Sequence, residues 1–266
     1  MGALTYWEEL RNGETGQVVL AVDGPPGVTS PSGFGDLVPL LDVPHAIWRA
    51  RPTISRVPYG PGLDAYVAPW IDEVLSTGLR VEAVLGSGVG GIFAGVIAQA
   101  LTNRQQQPDV LLFDPELVDT GSVVEEFQRV LGEFSRPLDG DELWALEREV
   151  AAATDLCDDV ASLAARLCAA LAAVPEVSVA DLELATLRFT ALALAEPVDV
   201  LPLWSGRTAL CSSSQDRGLN RTRNALLLPE AALVHREISF ADDHAGVFKS
   251  SDVACTASAL LAAHAA

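Results

Sequence analysis

An apolar run at 81–85, the glycine-dense turn Gly86-Ser87-Gly88-Val89-Gly90-Gly91 and a second apolar stretch at 92–101 follow one another without a break. That order predicts a buried strand, a sharp turn and a helix returning along the strand. A helix that returns in this way leads into a parallel neighbour, so the segment commits the chain to a sheet with crossover connections. Further strands are predicted at 18–22, which closes on Asp23-Gly24-Pro25-Pro26-Gly27, and at 46–49, 110–113, 198–204 and 233–240; helices are predicted at 63–76 and 251–263. The alternation argues an α/β protein whose mostly parallel central sheet is covered on both faces. Between 119 and 196 the pattern is helical throughout, and Leu156, Val160, Leu163, Leu167 and Leu171 fall three or four apart along one stripe. At 266 residues the chain has room for one α/β domain, 1–266, with 119–196 as a helical insertion.

Two kinds of site use a strand–turn–helix of this sort. Gly86, Gly88 and Gly91 spell the G-x-G-x-x-G of a nucleotide-phosphate cradle. In the nucleophile elbow of α/β-hydrolases, by contrast, the residues two before and two after the nucleophile must be small so that the backbone passes closely. Gly86 and Gly90 meet that requirement and put Gly88 at the nucleophile position. Moving the register to make Ser87 the nucleophile would set Leu85 and Val89 at the two crowded positions. The turn does not follow the first strand, and no acidic residue about twenty positions on is clearly free for a ribose, since Asp114 suits a proton-handling role better. These points favour the elbow.

With these pieces in order, the chain resembles the stand-alone and terminal thioesterases of polyketide and nonribosomal peptide assembly lines over most of its length. Val22-Asp23-Gly24-Pro25-Pro26-Gly27 stands where that family has its oxyanion loop, and 85–98 where it has the elbow and its helix. Leu112-Phe113-Asp114 stands at the strand end that carries the family's acid, and Asp243-His244 at its late histidine. The resemblance implies an α/β-hydrolase fold with 119–196 as a helical lid. It implies a triad reading Gly88, Asp114 and His244 in place of Ser or Cys, Asp and His. Val89 falls at one backbone oxyanion donor and Pro25 at the other, or Pro26 if the loop is offset by one; Ser87 and Pro26 are the neighbouring substrate-contacting positions. No cofactor is implied. The implied substrate is a small-molecule or carrier-tethered acyl or peptidyl intermediate, with an acyl carrier protein among the candidate partners.

A histidine held by a carboxylate remains a general base even with no nucleophile to activate. Proline has no N–H, so neither Pro25 nor Pro26 donates to an oxyanion, and losing one such donor costs about 10²–10³ in rate. Both acyl-handling devices are therefore altered while both proton-handling residues remain. The pattern points to a thioesterase-like enzyme of natural-product biosynthesis that works without an acyl-enzyme, by cyclisation, elimination or isomerisation. Two alternatives stay open: direct attack on a thioester or ester by a water that His244 activates, and a non-catalytic protein that holds an acyl intermediate.

The formal charge of -19, from 36 acidic and 17 basic residues with Lys249 the single lysine, argues against nucleic acid and against an anionic membrane surface. No stretch has the roughly 18 uninterrupted apolar residues of a membrane span, and residues 1–12 lack the charged-then-apolar order of a secretion signal, so a cytoplasmic protein is expected. Cys157, Cys168, Cys211 and Cys255 show no metal-ligand or disulfide spacing and are expected as buried thiols; no metal site is expected. His45, His235 and His264 have no partner spacing, Asp216 reads as part of a surface loop, and Trp48, Trp144 and Trp204 read as core residues.

Overall fold

The computed structural model describes residues 4–24, 32–51, 62–134, 138–227 and 232–263. The chain forms two compact units, one from the segments up to Leu117 and from Asp199 onward, the other spanning Val118–Val198. In chain order the first unit begins with β1 (Trp7–Arg11), β2 (Gln17–Val22), α1 (Phe34–Leu37), β3 (Ala46–Ala50), α2 (Leu63–Ser76), β4 (Arg80–Ser87), α3 (Gly90–Thr102) and β5 (Asp109–Phe113). The second unit holds α4 (Thr120–Glu133), α5 (Gly140–Leu156), α6 (Val160–Ala172) and α7 (Val179–Ala195). The chain then returns with α8 (Leu201–Trp204), β6 (Thr208–Cys211), α9 (Gly218–Ala225), β7 (Arg236–Ser239) and α10 (Ser251–Ala263).

Among the described residues, seven strands pair in the order β1-β3-β2-β4-β5-β6-β7. Only β1 runs antiparallel, against β3; every other pair is parallel, as the strand–helix alternation predicts. From β2 the chain steps outward to β3, then crosses back past β2 to β4 and proceeds the other way to β5. Neighbouring strands whose connections leave in opposite directions open a crevice at their carboxyl ends, the place where α/β sheets bind ligands. The crevice here lies between the ends of β2 and β4, at Asp23-Gly24 and at the glycine turn.

Alternation along the strands sorts the core. Val19, Ala21, Ala83, Leu85, Leu111, Phe113 and Leu210 share one buried cluster with Phe34 and Leu37 of α1 and Val253, Ala257 and Leu261 of α10. Within it the rings of Phe34 and Phe113 meet edge to face with centroids 5.2 Å apart, and Phe248 stacks on Phe113 at 5.8 Å. Helix α3 covers the other face, where a β-carbon built on Gly86 would fall 2.7 Å from Ala94 Cβ, and α2 packs beside it.

One expected strand is wrong. The run 198–204 is not extended but ends in α8, and the strand next to β5 is the later Thr208–Cys211. Pro202 lies in the first turn of α8 and lacks the N–H a central strand would need, while Asp199 Oδ1 accepts the Leu201 N–H at 3.1 Å. A short apolar run carries no period that separates strand from helix.

In the second unit each helix starts on a side-chain cap. Asp119 accepts from Ser122 N–H, Asp139 from Glu142 N–H, Asp159 from Ser162 N–H and Ser178 from Asp181 N–H, contacts worth typically about 1 kcal/mol each. Val160, Leu163, Leu167 and Leu171 form the buried stripe of α6, but Leu156 is exposed, because Asp159 starts a new helix and breaks the period. Arg188 on α7 is buried with Glu126 at 3.1 Å and reaches Glu133 at 2.7 Å.

Candidate active site

The elbow is built by close approach. A β-carbon on Gly86 would fall 2.7 Å from Gly91 Cα, and one on Gly90 would fall 2.3 Å from the Val22 carbonyl oxygen and 2.6 Å from Gly24 N. Both positions therefore require glycine, for the reason the spacing suggested. Between them Gly88 sits at φ +52°, the left-handed conformation in which a side chain costs about 1–2 kcal/mol. Its N–H donates to Phe113 O at 2.9 Å, and its carbonyl accepts from Gly91 N–H at 3.0 Å and Glu116 N–H at 3.1 Å. A β-carbon at Gly88 would meet nothing within 4 Å. The turn is therefore strained at Gly88, and the space that a side chain would occupy there is open.

Val89, half-buried, is the residue that caps the start of α3, and its N–H meets no acceptor among the described residues. Ser87 is buried at the end of β4, paired with Phe113. Pro25 and Pro26 lie outside the described residues. Asp23, at the end of β2, accepts the Phe34 N–H through Oδ1 at 2.8 Å. Burial pushes the Asp23 carboxyl up to about 6, against the Phe34 hydrogen bond and the Arg49 charge.

Asp114 and His244 come together although 130 residues separate them: Nδ1 of His244 lies 2.9 Å from Asp114 Oδ2. Asp114 is buried at the end of β5 with φ +43°, a conformation aspartate tolerates better than most residues. Its second oxygen, Oδ1, accepts the Ser212 N–H at 2.7 Å. With Nδ1–H donating to the carboxylate, Nε2 is the basic nitrogen, and the side chain is 36% exposed, so the imidazole is reachable. The hydrogen bond to Asp114 raises the His244 pKa above its ordinary value, burial opposes the rise, and the charges of Asp114 and Glu116 add to it.

The segment after β6 holds this pair in place. Ser213 N–H donates to Asp242 O at 2.8 Å, Ser213 Oγ donates to the Ala241 carbonyl, and Ser214 Oγ accepts the His244 N–H at 3.1 Å. Gly218, at φ +60°, lies so close that a β-carbon would fall 2.8 Å from Asp114 Oδ1, and its N–H donates to buried Glu116 Oε1 at 2.8 Å. Asp216 is exposed, as expected of a surface loop, yet the same loop supplies Ser212, Ser213, Ser214 and Gly218 to the site. Sequence reasoning passed over these four and Glu116. The available signal was the serine run Ser212-Ser213-Ser214, which gains meaning only once β6 is placed immediately before it.

The crowding at Gly218 makes a specific prediction. Gly218→Ala combines a left-handed alanine, costing about 1–2 kcal/mol, with a methyl pressed on the Asp114 carboxylate. The expected result is a lower urea midpoint together with displaced His244 ring resonances; unchanged resonances would count against the packing.

The remaining candidates separate from the site. His45 is buried with Nδ1 3.0 Å from Thr15 Oγ1, and burial lowers its pKa; His235 is exposed; His264 lies outside the described residues. Trp48 and Trp204 are core residues, whereas Trp144 is exposed with Arg148 over its ring at 4.9 Å. Of the four thiols expected to be buried, only Cys211 is; Cys157 and Cys168 are half-buried and Cys255 is exposed. Among the described residues no cluster of His, Cys, Asp or Glu could hold a metal ion, and no helix is long and apolar enough to cross a membrane.

The mostly parallel seven-stranded sheet flanked by helices matches the α/β-hydrolase fold of solved thioesterase domains. The NocB thioesterase domain from the nocardicin cluster superposes with a TM-score of 0.57 at 17% identity, covering 97% of this chain and 99% of that one. The Vlm2 thioesterase domain carrying 2,3-diaminopropionic acid, bound with a dodecadepsipeptide, gives 0.52 at 19% identity over 94% of this chain and 96% of that one. The four-domain nonribosomal peptide synthetase AB3403 gives 0.54 at 14% identity, over 96% of this chain and 20% of that one. At these identities the shared property is the fold. No protein-family model and no curated protein matches the chain.

Proposed function

We propose that this chain is a thioesterase-like enzyme of natural-product biosynthesis in which His244, held by Asp114, acts as a general base on an acyl or peptidyl intermediate without forming an acyl-enzyme. The observation that carries the reading is the pairing of an intact 2.9 Å His244–Asp114 contact with an elbow that keeps φ +52° at a residue with no side chain. Nε2 takes a proton from the substrate, and the imidazolium that results is stabilised by Asp114. Cyclisation, elimination and isomerisation each begin with such a transfer. The fold likeness to thioesterase domains of peptide assembly supports a carrier-tethered substrate, delivered by an acyl carrier protein. A second reading is favoured by the open space at Gly88. A water placed there, beside the Val89 N–H, could attack a thioester directly with His244 as its base.

The test is mass spectrometry of wild type, His244→Ala and Gly88→Ser on acyl and peptidyl N-acetylcysteamine thioesters and on the corresponding free acids. Wild type is expected to form product with no protein adduct, and the product mass tells whether water was added. Equal inertness of wild type and His244→Ala, with both binding the ligand, would overturn catalysis and leave a binding protein. Gly88→Ser has room for its side chain and is expected to become labelled by a fluorophosphonate that leaves wild type unmodified. An unlabelled, folded serine variant would show that the turn no longer presents a nucleophile to the imidazole.

A further inference from the structure

Glu116 is a buried carboxylate that the proton transfer described above does not use. It is 6% exposed, two residues beyond Asp114, and its polar groups reach the elbow on one side and α9 on the other. Its N–H donates to the Gly88 carbonyl at 3.1 Å, Oε1 accepts the Gly218 N–H at 2.8 Å, and Oε2 lies 3.7 Å from Arg221 on α9. Gly218 also packs against the Asp114 carboxylate, so one glycine stands between the two acids. The carboxylate therefore anchors α9 through the Gly218 N–H and the Arg221 charge while lying on the far side of Gly218 from Asp114. Burying a carboxylate carries a desolvation cost, and the cost has a use if a positive charge forms nearby.

We propose that Glu116 is a positioning residue of the site: it ties the elbow to the start of α9 and supplies a second negative charge to His244 when the imidazole takes a proton. This rests on the general-base reading. The charged groups that act on His244 are Asp114 at the end of β5, Glu116 beyond it and Arg217 at the start of α9, the last opposing the two acids. The relation is mutual. Burial raises the Glu116 pKa, while Arg221, His244 and Arg217 pull it back.

The sign of the coupling follows. Removing a negative charge near a histidine disfavours the imidazolium, so its titration moves to lower pH. Glu116→Gln keeps the oxygen that accepts from Gly218 and removes the charge. The experiment is NMR titration of the His244 ring in wild type and Glu116→Gln, with kcat/KM measured against pH in both. The expected result is a lower His244 midpoint in the variant, with the acidic limb of the rate profile shifted the same way. An unchanged midpoint overturns the proposal. Should Glu116→Gln fail to fold, the reciprocal measurement decides: the Glu116 carboxyl carbon is titrated in wild type and His244→Ala, where loss of the imidazolium moves it to higher pH. No movement there also overturns it. A coupled titration without turnover on any substrate would sink the general-base reading while leaving the electrostatic link in place.

Discussion

Replacing His244 by alanine is expected to lower kcat/KM by about 10²–10⁴-fold, the usual contribution of a positioned general base, with substrate binding retained. The side chain is 36% exposed, and in a variant whose circular dichroism and urea midpoint match a folded protein the loss belongs to proton transfer. Asp114→Asn is expected to lose as much by a different route. Ser212 N–H can still donate to the amide oxygen, which leaves the amide NH₂ facing Nδ1. Nδ1 then accepts, the ring proton moves to Nε2, and the base is in the wrong tautomer. In wild type the rate should fall as pH is lowered through a value above the ordinary histidine range, because the base must be neutral and Asp114 stabilises its protonated form. A flat profile across that range, or a fully active His244→Ala, would remove the histidine from the mechanism.

The largest stability effect is expected at Trp204. Its ring is fully buried, its Nε1–H donates to Gly91 O at 3.2 Å, and its edge comes within 3.6 Å of the β-carbon position of Gly91. Beside it Leu203 lies against Gly95, where a β-carbon would be 2.8 Å from Leu203 Cβ. Helix α8 is therefore seated on the glycine stripe of α3, one turn from the elbow. Trp204→Ala removes a large buried ring and leaves a cavity, a change that costs about 3–5 kcal/mol. Urea unfolding followed by circular dichroism should show the midpoint of the transition fall accordingly. A loss under about 1 kcal/mol would mean that α8 re-docks without its anchor.

The parts of the fold legible in the sequence are those where a local pattern and a tertiary demand coincide. The elbow is one such part: Gly86 and Gly90 are spaced for a crowded turn, and the crowding is there. Helices α2 and α10 follow their apolar period from end to end. By contrast, β1 is Trp-Glu-Glu-Leu-Arg, whose two glutamates hide a strand that forms by pairing with β3. The run 198–204 was ambiguous because a short apolar segment serves a helix turn or a strand equally well. Asp114 and His244 could be singled out because each stands at a defined place in the order of elements. Ser212, Ser214, Gly218 and Glu116 could not, since their partners lie about 30 to 100 residues away and are brought near only by the β5–β6–β7 register.

The sheet order also distributes the site over two groups of strand ends. The glycine turn and the loop at Gly24 hang from β2 and β4, whereas Asp114, the serine segment and His244 hang from β5, β6 and β7. The β4–β5 pairing joins the two, and at the turn Gly88 donates to Phe113 O and accepts from Glu116 N–H. A substitution in the glycine turn therefore leaves untouched the hydrogen bonds by which Ser212 and Ser214 hold Asp114 and His244.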